Sequence, residues 1–261
     1  MASSSATDLD RVAETFLAPV GCSLPAPDLR VVEHDGWYQT ITPSTQSTQG
    51  NEVIYSRVPA VDAERVARET IDGYAQLGLP FKWCVGPLTE PADFGDVLER
   101  LGFTHWDTRG MAVDPQRWTY SAPREVVVER TTLDTFEDYY ITSVRGWSSE
   151  VAEAASWRVS MRAALASGHH HYYLARIAGE PVGSAGMVIK PRCVYLMGGN
   201  VLHDFRGRGI YRALIDERLR DAAARGLTLA TTQAREATSA PILDKLGFET
   251  LYRSRVYKWE P

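Results

Sequence analysis

The sequence predicts an α/β protein made of two successive domains, and three observations carry that expectation. The chain has 261 residues, 44% of them hydrophobic, which suffices for two cores of ordinary size. Its halves repeat one order of elements (strand, helix, strand, helix, the tripeptide Leu-Gly-Phe, strand), with the tripeptide at 101–103 and again at 246–248. In the second half, the stretch VLHDFRGRGIYRA at 201–213 runs from an apolar strand through an Arg/Gly-rich turn into a helix.

The first half, 1–115, opens with a polar lead and a short helix over 8–17, which Pro19, Pro25 and Pro27 end. Strand-like runs at 29–33 and 37–42 flank His34-Asp35-Gly36, a hairpin turn. A polar loop leads to a strand at 53–58. Asp62 then caps a helix whose apolar positions Val66, Ile71, Tyr74 and Leu77 share one face, and Gly78 ends it. A buried strand at 81–85 and a helix at 93–101 complete this half. Residues 116–123 form the linker, and its aromatic content predicts a segment laid on the surface rather than a free tether.

The second half, 124–261, reads as a strand at 125–130, helices at 134–145 and 150–166, and strands at 172–177, 182–189 and 193–202. A helix over 209–225, a strand at 227–232, a helix at 239–246 and a last strand at 250–258 follow. His169, His170 and His171 suggest a metal site, but neighbouring strand residues point to opposite faces, so a solvated strand entry is expected instead.

A net charge of −5, with no basic block beyond the RGRG turn, excludes a protein devoted to nucleic acid. The start lacks a basic n-region and an apolar h-region, and no run of about 18 apolar residues exists. The expectation is a soluble, cytoplasmic protein without a membrane partner, a monomer or a homodimer. Cys22, Cys84 and Cys193 are far apart and lack CxxC spacing, so they are read as core residues and no metal is expected.

The RGRG turn carries the chemistry. Gly207 and Gly209 let the backbone bend sharply so that consecutive N–H groups can converge, and the positive end of the helix starting near Ile210 adds to them. Arg206 and Arg208 supply charge. Such a cradle suits a pyrophosphate, yet it is neither a P-loop nor a dinucleotide fingerprint, because GRG is followed by Ile-Tyr-Arg. A flexible basic loop is the plain alternative.

The stretch resembles the acetyl-CoA signature of the GNAT acyltransferases, Q/R-x-x-G-x-G/A after the fourth strand, and matches it at Arg206 and Gly209. Tyr211 stands where a Gly or Ala is usual. The resemblance extends over the second half to its closing Lys245-Leu246-Gly247-Phe248. It implies two tandem GNAT-like domains, each a mixed, mainly antiparallel twisted sheet flanked by helices. The first half looks like a degenerate copy: where the cradle would lie it reads Val58-Pro59-Ala60-Val61-Asp62, without glycine or arginine, and Pro59 has no N–H to offer.

By the same resemblance the co-substrate is acetyl-CoA, held by Arg206, Gly207, Arg208, Gly209, Ile210 and Tyr211, with main-chain groups of Asn200, Val201 and Leu202 along the pantetheine arm and thioester. The family's thiolate proton donor is a tyrosine before LGF, and Leu243 occupies that position here. Ser239, four residues earlier on the same helical face, is the substitute donor, or else simply a helix cap. Arg145, Trp147 and Glu150, in and after the first helix of this half, are the residues expected at the acceptor mouth, with packing of Trp147 in an interface as the alternative. The implied function is N-acetyl transfer to the amine of a small molecule. A CoA-responsive binding or regulatory module with weak or no chemistry is the second reading.

Overall fold

The computed structural model describes residues 7–119, 121–147 and 155–261. In chain order its elements are α1 (Asp8–Leu17), β1 (Arg30–His34), β2 (Trp37–Ile41), β3 (Glu52–Ser56), α2 (Ala63–Ala75), β4 (Phe81–Val85), α3 (Phe94–Arg100) and β5 (Thr104–Val113). They continue with β6 (Val126–Arg130), α4 (Phe136–Gly146), α5 (Ala155–Ala166), β7 (His170–Ile177), β8 (Glu180–Ile189), β9 (Val194–Val201), α6 (Ile210–Ala224), β10 (Ala230–Arg235), α7 (Ala240–Lys245) and β11 (Glu249–Trp259). Two compact units result, Met1–Ala112 with Gln233–Pro261, and Val113–Thr232. This spatial grouping differs from the sequence-based division at 124, since residues 233–261 cluster with the first unit.

In the first unit the strands run in the order β1-β2-β3-β4-β11-β5, antiparallel except for β3 beside β4. The tight hairpin between β1 and β2 turns at Gly36, whose φ of +73° suits a residue without a Cβ. Reciprocal bonds between Thr7 and Asp10 cap α1. Asp62 behaves otherwise than expected: its carboxylate accepts from Arg65 at 2.8 Å and makes no bond to an N–H of α2. An aromatic core fills this unit, with Tyr74 stacked on Phe81 at 4.1 Å and Trp37 edge-on to Trp83 at 5.5 Å.

The parallel ladder of β3 and β4 comprises Glu52↔Lys82 and Val53↔Trp83. Beyond it the indole N–H of Trp83 donates to Ser56 Oγ at 2.9 Å. Glu90 pairs with the end of β3, donating to the Ser56 carbonyl at 3.2 Å and accepting from Val58 N–H at 3.0 Å. At 58–62, the expected counterpart of the cradle, Pro59 leads into a short 3-10 turn over Ala60–Asp62.

In the second unit β6, β7, β8 and β9 form an antiparallel array and β10 joins β9 in parallel. Tyr172 stacks on Tyr139 of α4 with ring centroids 4.4 Å apart, while the adjacent Tyr173 donates to Asp221 of α6. Neighbours on a strand face opposite ways, so α4 and α6 cover opposite faces of the sheet.

β10 begins three residues later than the apolar pattern suggests. The histidines also depart from expectation. His170 and His171 are buried, and only His169 is exposed. The strand starts two residues earlier than its apolar run, and His171 Nδ1 contacts Arg130. Burial and that guanidinium push the His171 pKa down to about 4.

The connecting segment is fastened to α6: Gln116 donates to the carbonyls of Ala223 and Leu227 at 2.9 and 3.1 Å, and Trp118 donates to Asp216 at 2.8 Å. The three cysteines are buried and form no disulfide with one another. Among the described residues, no helix is long and apolar enough to cross a membrane.

Candidate functional site

The second unit builds its site where β9 leaves the sheet. The ladder between β9 and β10 holds Val194↔Ala230 and Tyr195↔Thr231, and Thr232 extends it by donating its hydroxyl to the Leu196 carbonyl at 2.9 Å. On the other side of β9 the register with β8 shifts between Ser184↔Asn200 and Gly186↔Met197. Gly198 and Gly199 therefore face the single residue Ala185, which is a β-bulge. Gly198 adopts φ +62°, a conformation suited to glycine.

After Val201, Leu202 stays tied to the sheet by its N–H to the Val182 carbonyl at 2.9 Å, and a short 3-10 turn spans His203–Phe205. Gly207 and Gly209 then take φ +78° and +79°. The first bond into α6 runs from Ala213 N–H to the Gly209 carbonyl at 3.0 Å. By helix geometry the amides of Ile210, Tyr211 and Arg212 thus lack an intrahelical acceptor, and Gly209 at the N-cap has no side chain to serve them.

Arg206 is exposed, with Nε 3.4 Å from the Val201 carbonyl. Arg208 lies over the Phe205 ring at 5.7 Å and 3.8 Å from Glu125. Open amides, a helix dipole and two guanidinium groups in one bend make a site for a polyvalent anion.

Tyr211 fits because of the bulge. A Cβ on Gly199 would stand 2.9 Å from Tyr211 Cε2, so the ring occupies room that a side chain on β9 would otherwise take. Burial pushes the Tyr211 phenol up.

The C-terminal end of α4 approaches the same stretch of β9. Asn200 Nδ2 donates to the Ser143 carbonyl at 3.4 Å, and its Oδ1 accepts from Ser184 at 3.2 Å. A Cβ on Gly146 would lie only 2.0 Å from that Oδ1. Arg145 and Trp147, both exposed, flank this glycine, so the structure brings them to the region of Asn200. Glu150 lies outside the described residues.

With this geometry established, comparisons with known proteins decide the family of the second half. Residues 132–248 match the family model described as Acetyltransferase (GNAT) family. This region is a GNAT domain. A GCN5-related N-acetyltransferase from Kribbella flavida aligns with a TM-score of 0.69 at 16% identity, over 96% of this chain and 95% of that one. One from Sphaerobacter thermophilus gives 0.61 at 15% identity, over 97% and 91%. A tandem GNAT protein from the clavulanic acid biosynthesis pathway gives 0.61 at 12% identity, over 94% and 87%.

Two GNAT-like folds in tandem account for those near full-length matches. At such identities the likeness is one of fold. No curated protein matches the sequence.

Within the GNAT domain, the residues expected at the cradle and on β9 are contiguous in space with the α4 end. Ser239 belongs to the first unit, where its Oγ accepts from Arg235 N–H at 3.0 Å and makes no capping bond to α7. Leu243 is buried.

Sequence reasoning missed the bulge at Gly198-Gly199 and the packing of Gly146 on Asn200. Adjacent glycines inside a strand pattern were the available signal for the first. Nothing in the sequence marks the second.

Proposed function

We propose that this protein is an N-acetyltransferase that uses acetyl-CoA as co-substrate and acts on the amine of a small molecule. The observation that carries the proposal is the uncapped start of α6, bracketed by two left-handed glycines and two arginines beside the bulged end of β9. Backbone amides from Gly207 to Tyr211, with Arg206 and Arg208, would hold the diphosphate. Main-chain groups of Asn200, Val201 and Leu202 would hold the pantetheine arm and thioester. When bound, the thioester supplies an activated acetyl group.

This chain's own part is largely orientation, because two reactants held in line meet at a high effective concentration. Arg145 and Trp147 at the end of α4, with Glu150, are the proposed acceptor mouth. Asn200, held at both ends of its carboxamide, fixes the neighbouring main chain. Ser239 is the proposed proton source for the thiolate: its hydroxyl accepts from a backbone amide, which leaves its own proton to donate. The 58–62 stretch of the first unit, with Pro59 before a short 3-10 turn and neither glycine nor arginine, supports a copy that holds no acetyl-CoA.

A thiol-release assay with acetyl-CoA over a broad panel of amines tests this function, together with calorimetry of acetyl-CoA binding. The expected result is binding and amine-dependent release of free CoA. Binding without release for every amine would overturn catalysis, and absence of binding at millimolar acetyl-CoA would overturn the whole reading.

A further inference from the structure

Arg218, in the third turn of α6, is 1% exposed. Its Nε donates to the Leu214 carbonyl at 2.9 Å within the helix, and Nη1 donates to the carbonyls of Gly186 at 2.9 Å and Met197 at 3.3 Å. Gly186 and Met197 are the last aligned pair of β8 and β9 before the bulge. The other end of the guanidinium reaches the bulge itself, since a Cβ on Gly199 would be 3.6 Å from Nη2.

A buried cation is costly, and the hydrogen-bond partners of this one are neutral carbonyls. An apolar residue of similar volume would fill the space at less cost, so packing alone does not account for an arginine. Its geometry does. A bulge interrupts the ladder that normally fixes a strand, and the rigid planar fork takes hold of both strands where the ladder fails.

We infer that Arg218 is a positioning residue for acyl transfer: it clamps β8, β9 and α6 together at the Gly198-Gly199 bulge so that the main chain of Asn200, Val201 and Leu202 that follows keeps one presentation toward the thioester. This inference rests on the acetyltransferase reading above. Arg218 acts through the backbone and touches neither substrate.

The test uses the full chain with Arg218→Lys and Arg218→Met. Three readouts are taken: amide hydrogen exchange at Gly198–Asn200 against the β7–β8 ladder, kcat and KM for the preferred amine, and the Kd of CoA lacking an acyl group. Arg218→Met is expected to speed exchange at the bulge about tenfold or more while the β7–β8 ladder stays protected. It should lower kcat by about thirtyfold and leave the Kd of CoA within about threefold, because the diphosphate cradle is untouched. Arg218→Lys keeps a donor for one of the two carbonyls and should recover kcat to within about tenfold of the wild type.

Unchanged bulge exchange and kcat in folded variants, with an active wild type, would overturn the Arg218 assignment alone. So would a loss of CoA affinity that parallels the loss of kcat, which is the mark of general destabilisation. Should Arg218→Met fail to fold, Arg218→Lys decides: faster exchange at the bulge with a lowered kcat supports the clamp, and wild-type values overturn it. A wild type that neither binds CoA nor releases thiol would overturn the function and this inference with it.

Discussion

Tyr211 lies against Gly199, with the ring edge 2.9 Å from the point where a Cβ on that glycine would sit. An aromatic ring at a position where the family motif carries a small residue is thereby matched by a residue with no side chain on the facing strand. The two should be energetically coupled. Gly199→Ala forces the ring aside and is expected to cost about 1–3 kcal/mol, the usual range for overpacking. Tyr211→Ala leaves a void and should cost about 3 kcal/mol. Combined, the two should destabilise by about 1 kcal/mol less than their sum, measurable by urea melts of the four proteins. Simple additivity would mean that the ring and the strand do not share the space.

The two glycines of the cradle separate conformation from contact. Gly207 and Gly209 both have φ near +80°, but a Cβ on Gly209 would be 2.7 Å from Pro123 Cγ whereas one on Gly207 meets nothing within 4 Å. Gly207→Ala should cost only the left-handed penalty of about 1–2 kcal/mol. Gly209→Ala should cost more and raise the acetyl-CoA Kd by about tenfold, because it displaces the start of α6. Equal melts and equal calorimetric affinities for the two variants would contradict this.

Charge reversal at Arg206 addresses the anion directly. Arg206→Glu places a negative group beside the open amides of α6, so the acetyl-CoA Kd should rise by at least about tenfold while the KM of the amine changes little. Raising the salt should narrow the difference between variant and wild type, since the group is exposed. An unaltered acetyl-CoA affinity would place the diphosphate elsewhere.

In the first unit, hydrogen bonds from Arg109 and Arg253 hold the carboxyl of Glu236 down to about 2. A carboxylate whose folded pKa lies below its unfolded value of about 4.3 stabilises the fold above that value, and the contribution is lost as pH falls toward 2. The wild type should therefore melt higher than Glu236→Gln between pH 5 and 7, and the gap should shrink as the pH drops from 4 to 2. A gap that stays constant across that range would show that the pairing does not matter.

Much of this fold was legible because its signals are local. The helix over Asp8–Leu17 and the strand over Phe81–Val85 follow from proline breaks and apolar runs, and both form with those bounds. The bend at Gly207 and Gly209 was legible for the same reason, as glycine backbone freedom is a property of adjacent residues.

What escaped depends on distant partners. His170 and His171 read as polar but are buried on β7, a strand paired with β8 and β6, where His171 meets Arg130. Arg218 stands on α6 with no local sign of burial, and only β8 and β9 packed against it make it a clamp. Gly146 has no local pattern at all, since its purpose is the carboxamide of Asn200, more than fifty residues on.

The position of β11 has a consequence for how the protein is made. This strand, the last in the chain, pairs along β4 on one side and β5 on the other. A ribosome that has released the chain through Val113 has delivered every other strand of that unit and not the one that belongs in its middle. Until β11 emerges, β4 and β5 expose facing rows of amides and carbonyls, a template for wrong partners. This unit is thus born early and completed late, and its assembly waits for residues 249–259 to leave the exit tunnel.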